Sequence, residues 1–356
     1  MKLKIFSDQH YIPQNFEIIT PLLVPFWQKA SNVHPLYFNY AQIGHSCFEL
    51  SSLEEADIAI LPIPWELIRG FSLRSRTNQE AQNTAIQFAK QVENQNKPLI
   101  IFFSGVCSAE QLPLKDTFVF RTSLYRSSRK EKDFSAPLWT QDIVKNNFKN
   151  KLIIRQKREK PIIGFCGRAR KNLEIKIKSA MYYGWKLVNK QIKENPLKGD
   201  YIRTAALNYL SKSSLVKTNF IIRDKFVTIG QTDPDLKEKF YLEFLKNMIE
   251  SDYIVCSRGA SNTSFRFFET LCSGRIPVFI DTDCVLPYDF FIDWNKYCVW
   301  VDESELPWID EKIMDFHSQL SSSEYIELQY ECRTIWVEWL SPEGFHKNLY
   351  RHFNNI

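Results

Sequence analysis

The chain carries no long block of like charge, no internal repeat and no low-complexity tract, which argues against a nucleic-acid-binding tail, a solenoid and a disordered or fibrous protein. No apolar run approaches the roughly twenty residues that a membrane-spanning helix needs. The opening MKLKIFSD is too polar and too short to act as a secretory leader. None of the eight cysteines (Cys47, Cys107, Cys166, Cys256, Cys272, Cys284, Cys298, Cys332) forms a C-x-x-C pair. Most lie in apolar runs, where a buried free thiol is the ordinary state, so no zinc site is expected. What remains is a globular composition, 44% hydrophobic and 24% charged over 356 residues, with room for two domains. A net charge of +5 suits an anionic ligand or a membrane surface only weakly.

The most informative stretch covers residues 251–303. Tyr253–Cys256 reads as a short buried strand that stops at Ser257-Arg258-Gly259. Ala260-Ser261-Asn262-Thr263 supplies small polar residues suited to capping a helix N-terminus. Along that helix Phe265, Phe268 and Cys272 share one face, and Arg266, Glu269 and Ser273 share another. Gly274 ends it, and residues 276–280 form a second buried strand with Pro277 near its start. Such a unit suits a diphosphate joined to a polyol. Helix amides, Arg258 and Arg266 would meet the anion, and Glu269 would accept from paired hydroxyls. On spacing alone, Arg266 and Glu269 fit equally well as a surface i,i+3 pair.

The order of residues closely resembles the exostosin family, glycosyltransferase family 47: S-R-G, then S-F-R-F-F-E (Ser264 to Glu269), L-C-S-G-R-I-P-V, Leu286-Pro287 and I-D-W-N-K (Ile292 to Lys296). The family usually has Pro where this chain has Ser257 and Cys where it has Arg275. Earlier segments carry fainter likenesses. Residues 3–7 form an expected first strand followed by Asp8 and His10. E-A-D-apolar-P at residues 55–62 leads past a buried strand (residues 58–61) to Trp65 and Glu66. Residues 36–39 are read as a further strand. A helix over residues 77–94 has Ala81, Ala85, Phe88 and Val92 as its inner stripe, and Leu99–Phe103 is a strand turning at Ser104-Gly105, where many relatives carry His-Asp. Residues 151–161 look like the crossing between domains. Beyond them, residues 161–170 resemble the family's F-A-G-x-x-R element, with Gly167, Arg168 and Arg170 set to meet a phosphate. Helices are expected over residues 200–215, 236–250 and 324–340.

The resemblance implies an α/β protein of the GT-B fold, two Rossmann-like domains facing a cleft. Its parts would be an acceptor domain (residues 1–155), a donor domain (156–335) and C-terminal helices (336–356) bracing the first. It further implies an inverting enzyme that moves a sugar from a UDP-sugar to a glycan hydroxyl, in surface polysaccharide or glycoconjugate synthesis. The donor would meet Gly167, Arg168, Arg170, Arg258, Gly259, Ser264, Arg266 and Glu269. Asp8, His10 and Glu66 each follow an N-terminal strand and are the candidates for the base, Asp8 first because the family has an acid there. No metal, cofactor or nucleic acid is expected, and the location would be cytoplasmic, with peripheral membrane contact left open. Two alternatives stand beside this reading. Asp281-Thr282-Asp283 spells the D-x-D metal site of GT-A enzymes, and a module that keeps the donor pocket but lacks the base would bind without turnover.

Overall fold

The computed structural model describes residues 2–14, 16–169, 196–223 and 233–353, together with residues 177, 180, 181 and 184. The chain divides into two compact units, one of Met1–Gln141, Asp283–Asp289 and Val337–Ile356, the other of Asp142–Thr282 and Phe290–Trp336. Each is built on one wholly parallel sheet with helices, the α/β class expected. Among the described residues, no helix is long and apolar enough to cross a membrane.

The first sheet contains β1 (Leu3–Phe6), β2 (Phe48–Leu50), β3 (Ile58–Ile60), β4 (Leu99–Phe103), β5 (Thr117–Arg121) and β6 (Asp133–Ser135), in the order β2-β1-β3-β4-β5-β6. β4 reads Leu-Ile-Ile-Phe-Phe and is buried throughout, as a strand covered on both faces must be. Helix Gln79–Asn94 starts where the Asn78 side chain accepts from Ala81 N, and it buries the stripe Ala81, Ala85, Phe88 and Val92. Residues 36–39 are not a strand. Pro35 opens a short 3-10 turn, the His34 ring accepts from Leu36 N (3.2 Å), and the chain continues into helix Phe38–Cys47. The strand of this region is β2, three residues long with two of them exposed, too short to read from periodicity. Residues 324–340 are likewise not one helix. Ser322–Ile335 is α-helical, Trp336–Leu340 is a single π turn, and helix Pro342–Lys347 follows. This last helix packs on the first unit: the His346 ring stacks on Tyr40 at 4.1 Å, and Tyr288 donates to Phe345 O at 2.8 Å.

The second sheet contains β7 (Ile162–Arg168), β8 (Lys217–Arg223), β9 (Tyr253–Cys256), β10 (Ile276–Asp281) and β11 (Val299–Asp302), in the order β11-β10-β9-β7-β8. An extended segment without strand partners leads into it, and side chains satisfy its backbone. Gln329 accepts from Arg155 N and donates to Arg155 O, both at 2.8 Å. Asp252 pairs with the Arg155 guanidinium and accepts from Ile162 N at 2.7 Å. His317 donates from Nε2 to Arg158 O (2.6 Å) and accepts the Tyr253 hydroxyl at Nδ1 (2.9 Å). Arg275, fully buried, donates to Ile153 O, Met248 O, Gly274 O and the Gln329 side-chain oxygen.

Replacing Arg275 by Met keeps the bulk but leaves those oxygens without their donor. Leaving a buried polar group without its hydrogen-bond partner costs about 1–3 kcal/mol. We expect a loss of that size for Arg275→Met in a urea titration; a loss under about 1 kcal/mol would mean that water replaces the guanidinium there.

Candidate functional site

The order of the second sheet reverses between β7 and β9, so the carboxyl ends of these neighbours bound the crevice in which open α/β sheets take ligands. β7 ends in Gly167 and Arg168. β9 runs into Ser257, Arg258 and Gly259, and the loop closes by Gly259 N donating to Thr263 O at 3.0 Å. Helix Phe265–Cys272 begins at Ser264, one residue later than the predicted capping group, and the Ser264 hydroxyl makes no capping bond. Asn262 is turned inward instead. Its side-chain oxygen accepts from Arg258 Nη1 (3.3 Å) and from the Thr282 hydroxyl.

The residue that joins these parts is Arg203, on helix Pro196–Lys212, which the sequence reading did not single out. Its guanidinium donates to Arg168 O (3.0 Å), Arg258 O (3.1 Å) and Ser257 Oγ (3.1 Å), spanning the crevice mouth from β7 to β9. Asp200, one turn earlier, pairs with Arg203 (3.4 Å) and Arg168 (3.5 Å). Nothing in sequence marks an Arg near a helix start as buried; the signal available was its place beside the buried Ile202, Ala206, Leu207 and Leu210. Gly199 lets this helix approach: a Cβ there would stand 2.3 Å from Gly259 O and 2.6 Å from Arg258 O.

Arg266 and Glu269 form the i,i+3 pair at 3.2 Å, with about a quarter of each side chain exposed. The pair is more than a surface contact, because Arg266 also donates to Cys166 O (2.8 Å) and lies over the Phe244 ring at 4.3 Å. Glu269 is thereby held at the end of β7. Burial pushes its carboxyl above the ordinary range, and Arg266 opposes that. Burial, with Arg266 and Arg168 adding repulsion, lowers the affinity of Arg203 for its proton, while Asp200 opposes. The structure thus gathers Gly167, Arg168, Arg258, Gly259, Ser264, Arg266 and Glu269 around one sheet end. Arg170 lies outside the described residues. Gly167 sits within β7 opposite Ile222, and the nearest atom to a Cβ there would be on the Phe165 ring, 3.3 Å away.

In the first unit, Asp8 caps a short turn by accepting from His10 N (2.9 Å) and meets the His10 ring at 2.7 Å; His10 is almost fully exposed. Glu66 opens helix Trp65–Arg69 after β3 and accepts from Ser104 N, after β4, at 2.9 Å. The Asp283 carboxylate accepts from Ser127 N (3.1 Å) and from the Ser127 hydroxyl, and Asp281 is buried at the end of β10. Among the described residues, no group of three or more His, Cys, Asp or Glu is placed to hold a metal ion.

A family model described as the exostosin GT47 domain matches residues 106–313. Exostosin-1 of Drosophila melanogaster is 28% identical over 110 residues, 31% of this chain and 14% of that protein. The exostosin-1 homolog of Caenorhabditis elegans is 34% identical over 111 residues, 31% of this chain and 27% of that protein. The matches therefore span less than a third of either relative. A solved glycosyltransferase from Rickettsia africae aligns with 90% of this chain and 81% of its own, at 11% identity and a TM-score of 0.37.

The close approach of Gly199 has a measurable consequence. Gly199→Ala should push the Arg258–Gly259 carbonyls aside and weaken pyrophosphate binding about tenfold, or roughly 1.4 kcal/mol, by calorimetry. Unchanged affinity would show that this contact does not shape the anion site.

Proposed function

The chain belongs to the exostosin GT47 family, and from that premise we propose that it is an inverting, metal-independent glycosyltransferase that moves a sugar from a UDP-sugar to a hydroxyl of a glycan acceptor. The observation that carries this reading is the meeting of the Arg168, Arg203 and Arg266 side chains at the carboxyl ends of β7 and β9, with Asp200 and Glu269 as counter-charges and Arg258 contributing its carbonyl. A diphosphate placed there would relieve the repulsion among the guanidinium groups, and Glu269 would accept hydrogen bonds from the ribose hydroxyls.

In the proposed reaction the acceptor oxygen bonds the anomeric carbon as the bond to the diphosphate breaks, and the electron pair leaves with UDP. Fixed positive groups stabilise that charge as it develops, and a carboxylate or imidazole of the first unit (Asp8, His10 or Glu66) takes the acceptor proton. The guanidinium cluster supplies the charge that a divalent ion provides in other enzymes. The engagement of Asp283 by Ser127 supports a structural use of the D-x-D sequence. The sugar acceptor would be a surface polysaccharide or glycoconjugate.

Two measurements test the reading. Arg266→Ala and Glu269→Ala should each weaken UDP binding by about ten- to a hundredfold, 1.5–3 kcal/mol, without unfolding the protein; wild-type titrations in both would return the pair to a purely structural role. Transfer should survive excess EDTA, and Asp283→Asn should leave UDP affinity unchanged. Activity lost in EDTA and restored by manganese would overturn metal independence.

A further inference from the structure

Two carboxylates stand among the guanidinium groups at the carboxyl ends of β7 and β9, and the proposed donor complex uses one of them. Glu269 pairs with Arg266 at 3.2 Å and is assigned to the ribose. Asp200 has no use in that complex, because a carboxylate beside a diphosphate is repelled. Its place in the fold is nevertheless well defined. It lies near the start of helix Pro196–Lys212, which Gly199 lets approach the Arg258 and Gly259 carbonyls. Its two oxygens divide between two cations: Oδ1 faces Arg203 at 3.4 Å, and Oδ2 faces Arg168 at 3.5 Å. The three side chains are only 11–13% exposed.

Distance separates two ways of holding a guanidinium here. Arg203 donates to Arg168 O at 3.0 Å and to Arg258 O and Ser257 Oγ at 3.1 Å, ordinary hydrogen bonds that fix the side chain. The contacts to Asp200 are longer than the about 2.7–2.9 Å of a tight charged bond, so the carboxylate supplies charge more than geometry. Burial lowers the affinity of Arg203 for its proton, Asp200 opposes this, and Arg266 and Arg168 add to the lowering. A diphosphate brings the same compensation as Asp200. The two anions are therefore rivals for the same two cations.

We infer that Asp200 is a release residue of the donor site: its carboxylate competes with the diphosphate for Arg168 and Arg203, and so speeds the departure of UDP once the sugar has left. The inference rests on the UDP-sugar transferase reading above. When the bond to the anomeric carbon breaks, the electron pair stays on the diphosphate oxygen, and the leaving group gains about one negative charge. Repulsion from Asp200 grows with that charge, so it falls harder on the product than on the donor. Without it, the guanidinium groups that stabilise the departing diphosphate would also retain it, and release would limit turnover.

The test uses the full chain, with UDP and UDP methylated on its terminal phosphate as calorimetric probes. Asp200→Asn removes the charge and keeps an oxygen to accept from Arg203, whose three other bonds do not involve this side chain. We expect the variant to bind UDP about tenfold more tightly than wild type, and the methyl ester to gain less. With a UDP-sugar that the wild type turns over, the UDP inhibition constant should fall by the same factor, and kcat should fall with it. Asp200→Glu keeps the charge and should retain the weaker wild-type affinity for UDP. Unchanged or weaker UDP binding by Asp200→Asn would overturn the release role and make Asp200 a structural counter-ion, leaving the donor site intact. A wild-type protein that binds neither probe would overturn the transferase reading itself, and the release role with it. Should Asp200→Asn fold poorly, Asp200→Ser removes the same charge, and the same two directions of change decide.

Discussion

A buried guanidinium bonded to carbonyl oxygens is the interaction on which the second unit depends. Arg275 stands at the start of β10, where the ends of helices Pro234–Glu250 and Phe265–Cys272 bring Met248 O and Gly274 O together. Helix C-termini carry partial negative charge, so these carbonyls stabilise a cation that burial would otherwise expel. Burial lowers the Arg275 pKa to about 10, which leaves it charged at neutral pH. Its reach to Ile153 O and Gln329 then fixes the extended segment entering β7. That segment sets the register of the strand whose far end carries Arg168. The family usually has Cys at this position, and a thiol could donate at most one weak bond where Arg275 donates several.

Much of the architecture was legible because parallel strands buried on both faces leave an unbroken apolar run. Leu99–Phe103 and Tyr253–Cys256 were read to the residue, and β3 and β10 to within one residue at one end. Where reading failed, local chemistry outweighed composition. The apolar residues 36–39 follow Pro35 and a ring that caps the next amide, and they enter a helix. The π turn at Trp336–Leu340 interrupts a stretch whose helical pattern continues unbroken in sequence. At the site, the motif residues could be named because their order is specific. Arg203 could not, because its role comes from burial against two strand ends far away in sequence.

The electrostatics of that crevice follow from who satisfies whom. Arg203 spends its donors on backbone carbonyls and one hydroxyl, and Arg266 divides its own between Cys166 O and Glu269. The Arg203 and Arg266 guanidinium groups are therefore held in place by the protein itself, so the proposed donor would find them with little rotamer freedom left to lose. Phe244 adds to this by supporting the flat face of Arg266.

Ser257 has a consequence for descent. Its hydroxyl accepts from Arg203 Nε, a bond that no proline can make. A lineage with Pro here must satisfy a guanidinium at position 203 by another route or do without one. In this chain a proline at position 257 would remove that acceptor and leave Arg203 to the two strand-end carbonyls and Asp200, so the clamp across β7 and β9 would rest on backbone and one carboxylate alone.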